Sequence, residues 1–241
     1  MARRIPLRSS SSFLYRFVAG IIRSVLWCVT RKDWHGQDDM PADGGFIAVS
    51  NHVTYADPLT LAHFLYNSGY PPHFLGKSTL FATPFIGWIL TKTDQIPVHR
   101  GTVRAKDAVD TGMKVLRTGD VIAIFPEGTL TRDPDLWPMM ARTGAARMAL
   151  ETGVPVIPVA QWGASKLLGH YSKRVHPFPR KMVTVKAGPA IYLDDLREKP
   201  IDNEKLREAS KRIMDTLTVM VEEMRGEKAP AERYDMRKHK A

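Results

Sequence analysis

An intramolecular disulfide is excluded at the outset, because the 241 residues contain one cysteine, Cys28. The same scarcity removes every zinc framework that needs two to four thiolates. The eight histidines show no metal-ligand spacing with a helical carboxylate, so no metal is expected. Gly163-Ala164-Ser165-Lys166 lacks the Gly-X-Ser-X-Gly elbow of a serine hydrolase. No helix-turn-helix or ribonucleoprotein signature accompanies the basic charge, so nucleic acid is not the expected partner. Internal repeats and Gly/Ser-rich interior linkers are also missing, and one domain is the simplest account.

Acidic residues are absent from residues 1–32, which carry Arg3, Arg4, Arg8, Arg16, Arg23, Arg31 and Lys32. Much of the formal charge of +10 therefore sits at one end of the chain and calls for an anionic partner. Within it Phe13, Leu14, Phe17, Val18, Ile21, Ile22, Val25 and Leu26 recur at the helical period. Arg16 and Arg23 interrupt the stretch, so an amphipathic helix lying in a lipid interface fits better than a spanning one. A signal peptide, a transit peptide and a helix packed on the domain are the competing readings.

Beyond this segment, short β-rich runs alternate with helical patterns. Strands are expected at 46–50, 73–76, 95–99, 121–125, 156–160 and 183–186, and helices at 58–66, 79–90, 103–117 and 141–151. A long amphipathic helix follows, with Leu206, Ile213, Leu217, Met220, Val221 and Met224 on one face. The alternation implies an α/β domain with a mostly parallel sheet flanked by helices. The expected organisation is a basic membrane-associating segment over 1–32, a catalytic domain over 33–225, and a polar, basic, unstructured tail over 226–241.

Two segments carry chemistry. Asn51-His52-Val53-Thr54-Tyr55-Ala56-Asp57-Pro58 follows a predicted strand and opens a helix, the end of an α/β sheet where ligands bind. Asp57 before Pro58 is explained by helix capping alone, but His52 five residues earlier is not. A carboxylate on one ring nitrogen fixes the tautomer, and the other nitrogen is then free to take a proton from a hydroxyl. Phe125-Pro126-Glu127-Gly128-Thr129 likewise follows an apolar strand; alone it reads as an ordinary turn.

The two motifs in this order and spacing resemble the glycerolipid acyltransferase family, over about Gly45 to Ala160. Leu75-Gly76-Lys77 with Phe81, Pro84 and Gly87 is similar to its lysine block. Ile96-Pro97-Val98-His99-Arg100 is similar to the strand ending in a phosphate-handling arginine, and 154–159 to its last block. The resemblance implies transfer of a fatty acyl chain from acyl-CoA or acyl carrier protein to a lipid hydroxyl. It places the reaction at the cytoplasmic membrane face and needs no metal or prosthetic group. His52 is then the base and Asp57 its orienter. Lys77 and Arg100 are expected on the acceptor's phosphate, with Arg132 assisting. Glu127 accepts a glycerol hydroxyl or holds Arg100, and the amides of Gly128 and Thr129 receive phosphate oxygens. Asn51, Thr54 and Pro126 support the motifs, Thr54 standing where the family has Ser. Asp94, Pro97 and Leu130 replace the family's Gly, Phe and Arg, which leaves the acceptor open between 1-acylglycerol-3-phosphate, glycerol-3-phosphate and another lysolipid or glycolipid. The non-enzyme alternative is a basic membrane- or nucleic-acid-binding protein.

Overall fold

The computed structural model describes residues 12–102, 104–236 and 238. Arg3, Arg4 and Arg8 of the basic flank lie outside the described residues.

A helix α1 (Phe13–Val29) runs directly into strand β1 (Thr30–His35). There follow β2 (Phe46–Val49), α2 (Asp57–Asn67), β3 (Pro72–Lys77), α3 (Ser78–Phe81), α4 (Ile86–Lys92) and β4 (Ile96–Val98). The second half holds α5 (Ala105–Arg117), β5 (Val121–Ile124), α6 (Gly144–Thr152), β6 (Val156–Trp162), β7 (Lys181–Ala187) and α7 (Asn203–Arg225). The seven strands form one sheet in the order β1-β7-β6-β2-β5-β3-β4. All neighbours are parallel except β6 and β7, so β1 and β7 run against the other five.

Apolar alternation sorts the two faces of the sheet. Ile47, Val49 and Ile122 face the cluster formed with α5, α6 and α7, while Phe46, Ala48, Val121 and Ala123 face Leu61, Phe64 and Leu65 of α2. α7 starts at Asp202, whose side chain accepts the Lys205 amide at 2.9 Å, and stops at Gly226 in the left-handed region.

Three elements depart from the sequence expectation. β1 was not anticipated, because Arg31, Lys32 and Asp33 break the apolar signature; as an edge strand it needs no second partner and tolerates charge. The helix expected over 79–90 is two short helices, since Pro84 cannot continue the first. Gly87 then packs so close to the Phe81 carbonyl that a Cβ would stand 2.0 Å from its oxygen. The C-terminal segment, expected to be unstructured, carries no helix or strand over 226–236 but is tied down. Ala229 donates its amide to Glu222, Arg233 reaches Asp215 and Thr218, and Tyr234 accepts the Met140 amide.

α1 is also more than a single stripe. Val18, Ala19, Ile22 and Leu26 turn inward, and Tyr15 donates its hydroxyl to the Pro72 carbonyl at 2.9 Å. Phe13, Phe17, Ile21 and Val25 point outward, with Phe13 86% exposed. The one apolar band in the sequence is thus two adjacent bands with different partners.

At the end of α7, the Arg225 guanidinium lies between the rings of Trp137 and Trp162, at 3.8 and 4.7 Å, and donates to the Asp135 carbonyl at 2.7 Å. Arg225→Ala is expected to lower unfolding free energy by about 2 kcal/mol in urea titration, from the lost stacking and charged hydrogen bond. Lys should recover less than half, because an ammonium cannot stack flat between two indoles.

Candidate active site

β2 and β5 are parallel neighbours in the register Phe46↔Val121 and Val49↔Ile124. His52 and Glu127 each lie three residues beyond those strand ends, so a 75-residue separation in sequence becomes one hydrogen bond in space. Glu127 Oε1 accepts the His52 amide at 2.8 Å. The Ser50 amide, donated to Ile124 O at 3.1 Å, continues the ladder toward this point.

The His52 ring bonds through Nδ1 to Asp57 Oδ2 at 3.1 Å. A carboxylate accepts, so Nδ1 carries the hydrogen and Nε2 is left as the acceptor. The same Oδ2 accepts the amides of Val53 and Thr54, the latter at 2.8 Å. Asp57 is therefore the first helical residue with its bonds directed back into the loop; the N-cap position is Ala56. Capping of its own helix, sufficient by sequence, is not what this carboxylate does. Phe125 stacks on the His52 ring at 4.0 Å and limits its rotation.

Asn51 is buried and pairs with the backbone of Gln161 in both directions at 2.9 Å, which extends the β2–β6 pairing past the end of β2. Gln161 in turn accepts the Thr60 hydroxyl at 2.6 Å and donates to Ser50. Thr54 is buried and gives its hydroxyl to the Leu168 carbonyl. The loop so held also bonds through His170 Nδ1 to the Val53 carbonyl at 2.7 Å.

His52 opens on a cavity of about 1050 Å³. Its floor is one face of α2, its walls are the inner face of α1 and the α3–α4 pair, and its ends are set by the 125–129 turn and the 168–175 loop. Lys77, at the end of β3, and Arg100, two residues past β4, both line it, together with Gly128 and Thr129. A larger cavity of about 1310 Å³ lies between α7 and the C-terminal segment and contains none of the motif residues.

The match to an acyltransferase family model covers residues 31–162, from β1 to the end of β6. The chain belongs to this acyltransferase family. Relatives include a chloroplastic 1-acyl-sn-glycerol-3-phosphate acyltransferase from Brassica napus, 30% identical over 157 residues, 64% of this chain and 44% of the relative. The 1-acyl-sn-glycerol-3-phosphate acyltransferase of Borreliella burgdorferi is 33% identical over 131 residues, covering 54% of this chain and 50% of that one. The Bacillus subtilis protein of the same name is 28% identical over 63% of this chain and 73% of its own. The chain thus spans about half the length of the first two relatives. The fold is similar to that of the Thermotoga maritima 1-acyl-sn-glycerophosphate acyltransferase crystal structure, with a TM-score of 0.64 at 22% identity over 90% of this chain and 83% of that one.

Several of the expected site residues stand elsewhere than the motifs imply. Glu127 is fully buried and its two oxygens accept the amides of His52 and Met139, so it neither meets a glycerol hydroxyl nor holds Arg100. The Gly128 amide is donated to Phe125 O at 2.9 Å to close the turn, and is not available for a phosphate. Gly128 has φ +74°, and a Cβ there would meet Arg142 at 2.8 Å. Arg132 is exposed and does not line the cavity. Pro126 is buried and accepts the Arg142 amide at 2.8 Å. Arg142 is the cation that the sequence reading missed: it lies against Gly128, and its charge, after burial, helps hold the Arg100 pKa below the usual guanidinium range. Its position 42 residues from Arg100 left no local signal.

Burial pushes the Glu127 carboxyl up to about 8 against the pull of its two amide bonds. Because the folded pKa lies above the unfolded one, the folded state holds the proton longer. The associated stability is present below about pH 4.5 and is lost as pH rises through 8. Gln mimics the protonated acid, so Glu127→Gln should gain stability relative to the parent between pH 5 and 8, read by urea unfolding across that range. A difference that does not change with pH would show that Glu127 does not titrate there.

Proposed function

We propose that the protein transfers a fatty acyl chain from acyl-CoA or acyl carrier protein to the free hydroxyl of a lysophospholipid, 1-acylglycerol-3-phosphate by preference. The observation that carries this reading is the His52–Asp57 pair at the wall of a largely apolar cavity, with Arg100 and Lys77 at neighbouring strand ends. The named activity of the Brassica, Borreliella and Bacillus relatives supports the same acceptor.

The chemistry follows from the geometry. Nε2 of His52 takes the proton of the acceptor hydroxyl as its oxygen attacks the thioester carbonyl. The tetrahedral adduct collapses, the carbon–sulfur bond breaks, and the imidazolium returns the proton to the leaving sulfur. Asp57 holds the tautomer and stabilises the imidazolium, as a carboxylate does in serine protease triads. Glu127 fixes the His52 backbone from the β5 side. Arg100, with Arg142 beside it and Lys77 across the strand ends, supplies positive charge for the acceptor's phosphate. Apolar walls from α1, α2 and α3–α4 accept hydrocarbon. This chemistry enlists no metal or prosthetic group.

The reading includes a membrane. No helix among the described residues is long and apolar enough to cross one. The outward Phe13, Phe17, Ile21 and Val25 of α1 instead support interfacial docking on an anionic surface, at the cytoplasmic face where the donor is supplied.

His52→Ala should abolish thiol release from acyl-CoA with lysophosphatidate while the chain still folds and unfolds in one cooperative transition. Asp57→Asn should lower kcat by two or more orders of magnitude, about the scale seen when a triad aspartate is amidated. Turnover near the parental rate in His52→Ala would overturn the assignment. For the membrane, Phe17→Ser with Ile21→Ser should weaken sedimentation with both neutral and anionic vesicles, because apolar burial ignores headgroup charge. Unchanged vesicle binding would place the docking surface elsewhere.

A further inference from the structure

At the edge of the sheet opposite β4 and Arg100, where α1 crosses α2 and β1, three basic side chains converge around aromatic rings. Arg23 of α1 lies over the Tyr66 ring at 5.5 Å, and Lys32 of β1 lies over the Trp34 ring at 4.6 Å. Trp34 meets the His63 ring edge-on at 5.0 Å. His63 is only 4% exposed, faces the cavity, and has no hydrogen bond or ion pair among the described residues. Neither Arg23 nor Lys32 has an acidic partner among them. Burial, Lys32 and Arg23 together push the His63 pKa down to about 4, and burial and Arg23 lower that of Lys32. Positive charge has been gathered beside a buried imidazole with no acidic side chain among the described residues paired to it.

We propose that this corner is a phosphate-binding subsite for a phospholipid headgroup, separate from the Arg100 end of the cavity. Two cations over neighbouring ring faces offer N–H donors to an anion, and the neutral imidazole adds one more. A bound phosphate offsets the mutual repulsion of the two cations and gives the imidazole an acceptor. The lipid character comes from the wall beside Arg23. Val18, Ala19 and Ile22 line the cavity there, so hydrocarbon attached to the phosphate is removed from water while the headgroup stays with the cations. The subsite rests on the cavity being a lipid site but not on acyl transfer at His52. A bound, non-reacting phospholipid there would seat α1 against the rest of the fold and the membrane together.

The test titrates dihexanoylphosphatidylglycerol, below its micelle concentration and without any acyl donor, into the full chain by calorimetry. This probe is a phosphodiester that the proposed reaction neither consumes nor makes. The Arg23→Gln/Lys32→Gln double variant is expected to bind it at least about tenfold more weakly, the loss of two charge-assisted contacts. Arg100→Gln should leave its affinity unchanged. Dihexanoylglycerol, which lacks the phosphate, should bind as weakly to the parent as the phospholipid does to the double variant. In the unsubstituted protein the His63 ring protons, followed by NMR, should titrate at higher pH when the phospholipid is present. Equal binding by the double variant, loss of binding in Arg100→Gln, or an unmoved His63 titration would each overturn the subsite. Inorganic phosphate binding as tightly as the phospholipid would overturn its lipid assignment. Inactive enzyme that still binds the probe in this pattern would remove the acyl-transfer reading and leave the subsite standing.

Discussion

A single carboxylate oxygen, Oδ2 of Asp57, organises the His52 end of the cavity. It accepts the His52 ring and the two amides that follow it, so one buried charge sets the tautomer of that ring and the path of the loop carrying it. Hydrogen bonds to a carboxylate are about twice as strong as neutral ones, and here they draw donors from three consecutive residues onto one point. The loop has little freedom left. Glu127 completes the restraint from the neighbouring strand by taking the His52 amide, and Phe125 stacks on the ring. Asp57's charge also adds to the burial that raises the Glu127 pKa, so the two acids are coupled through the segment they hold.

The sheet distributes the remaining functions along the ends of its parallel strands. In spatial order these ends carry Gln161 on β6, His52 after β2, Glu127 after β5, Lys77 on β3 and Arg100 after β4. Groups that brace the His52 loop therefore flank it, and cations stand toward the β4 edge. α1 closes the other side, with an inner face against α2 and the cavity and an outer face of exposed aromatic and aliphatic side chains. One helix thus bounds both the cavity and an exposed apolar surface.

Much of this was legible in the sequence. Buried parallel strands read as continuous apolar runs, and His52, Asp57 and the 125–129 turn stood at strand ends where α/β sheets bind ligands. β1 was not legible, because an edge strand with Arg31, Lys32 and Asp33 has no apolar run to detect. Nor was the break between α3 and α4 read, although Pro84 announces it. The 226–236 segment looks polar and unstructured by composition, yet Arg233 and Ala229 find their partners on α7, which composition does not record.

The roles of individual charged residues divide along the same line. Local spacing by itself determined that His52 and Asp57 could pair, since five residues across a strand-to-helix turn bring them within reach whatever the rest of the fold does. Whether Glu127 faced substrate or interior, whether Gly128 offered its amide, and which arginine stood by Arg100 were decided only by tertiary structure. Those outcomes depend on the β2–β5 register, on the Met139 amide arriving from a later loop, and on Arg142 folding back over Gly128. A carboxylate's chemistry follows from the donors that reach it, and donors from distant segments leave no trace in the residues beside it.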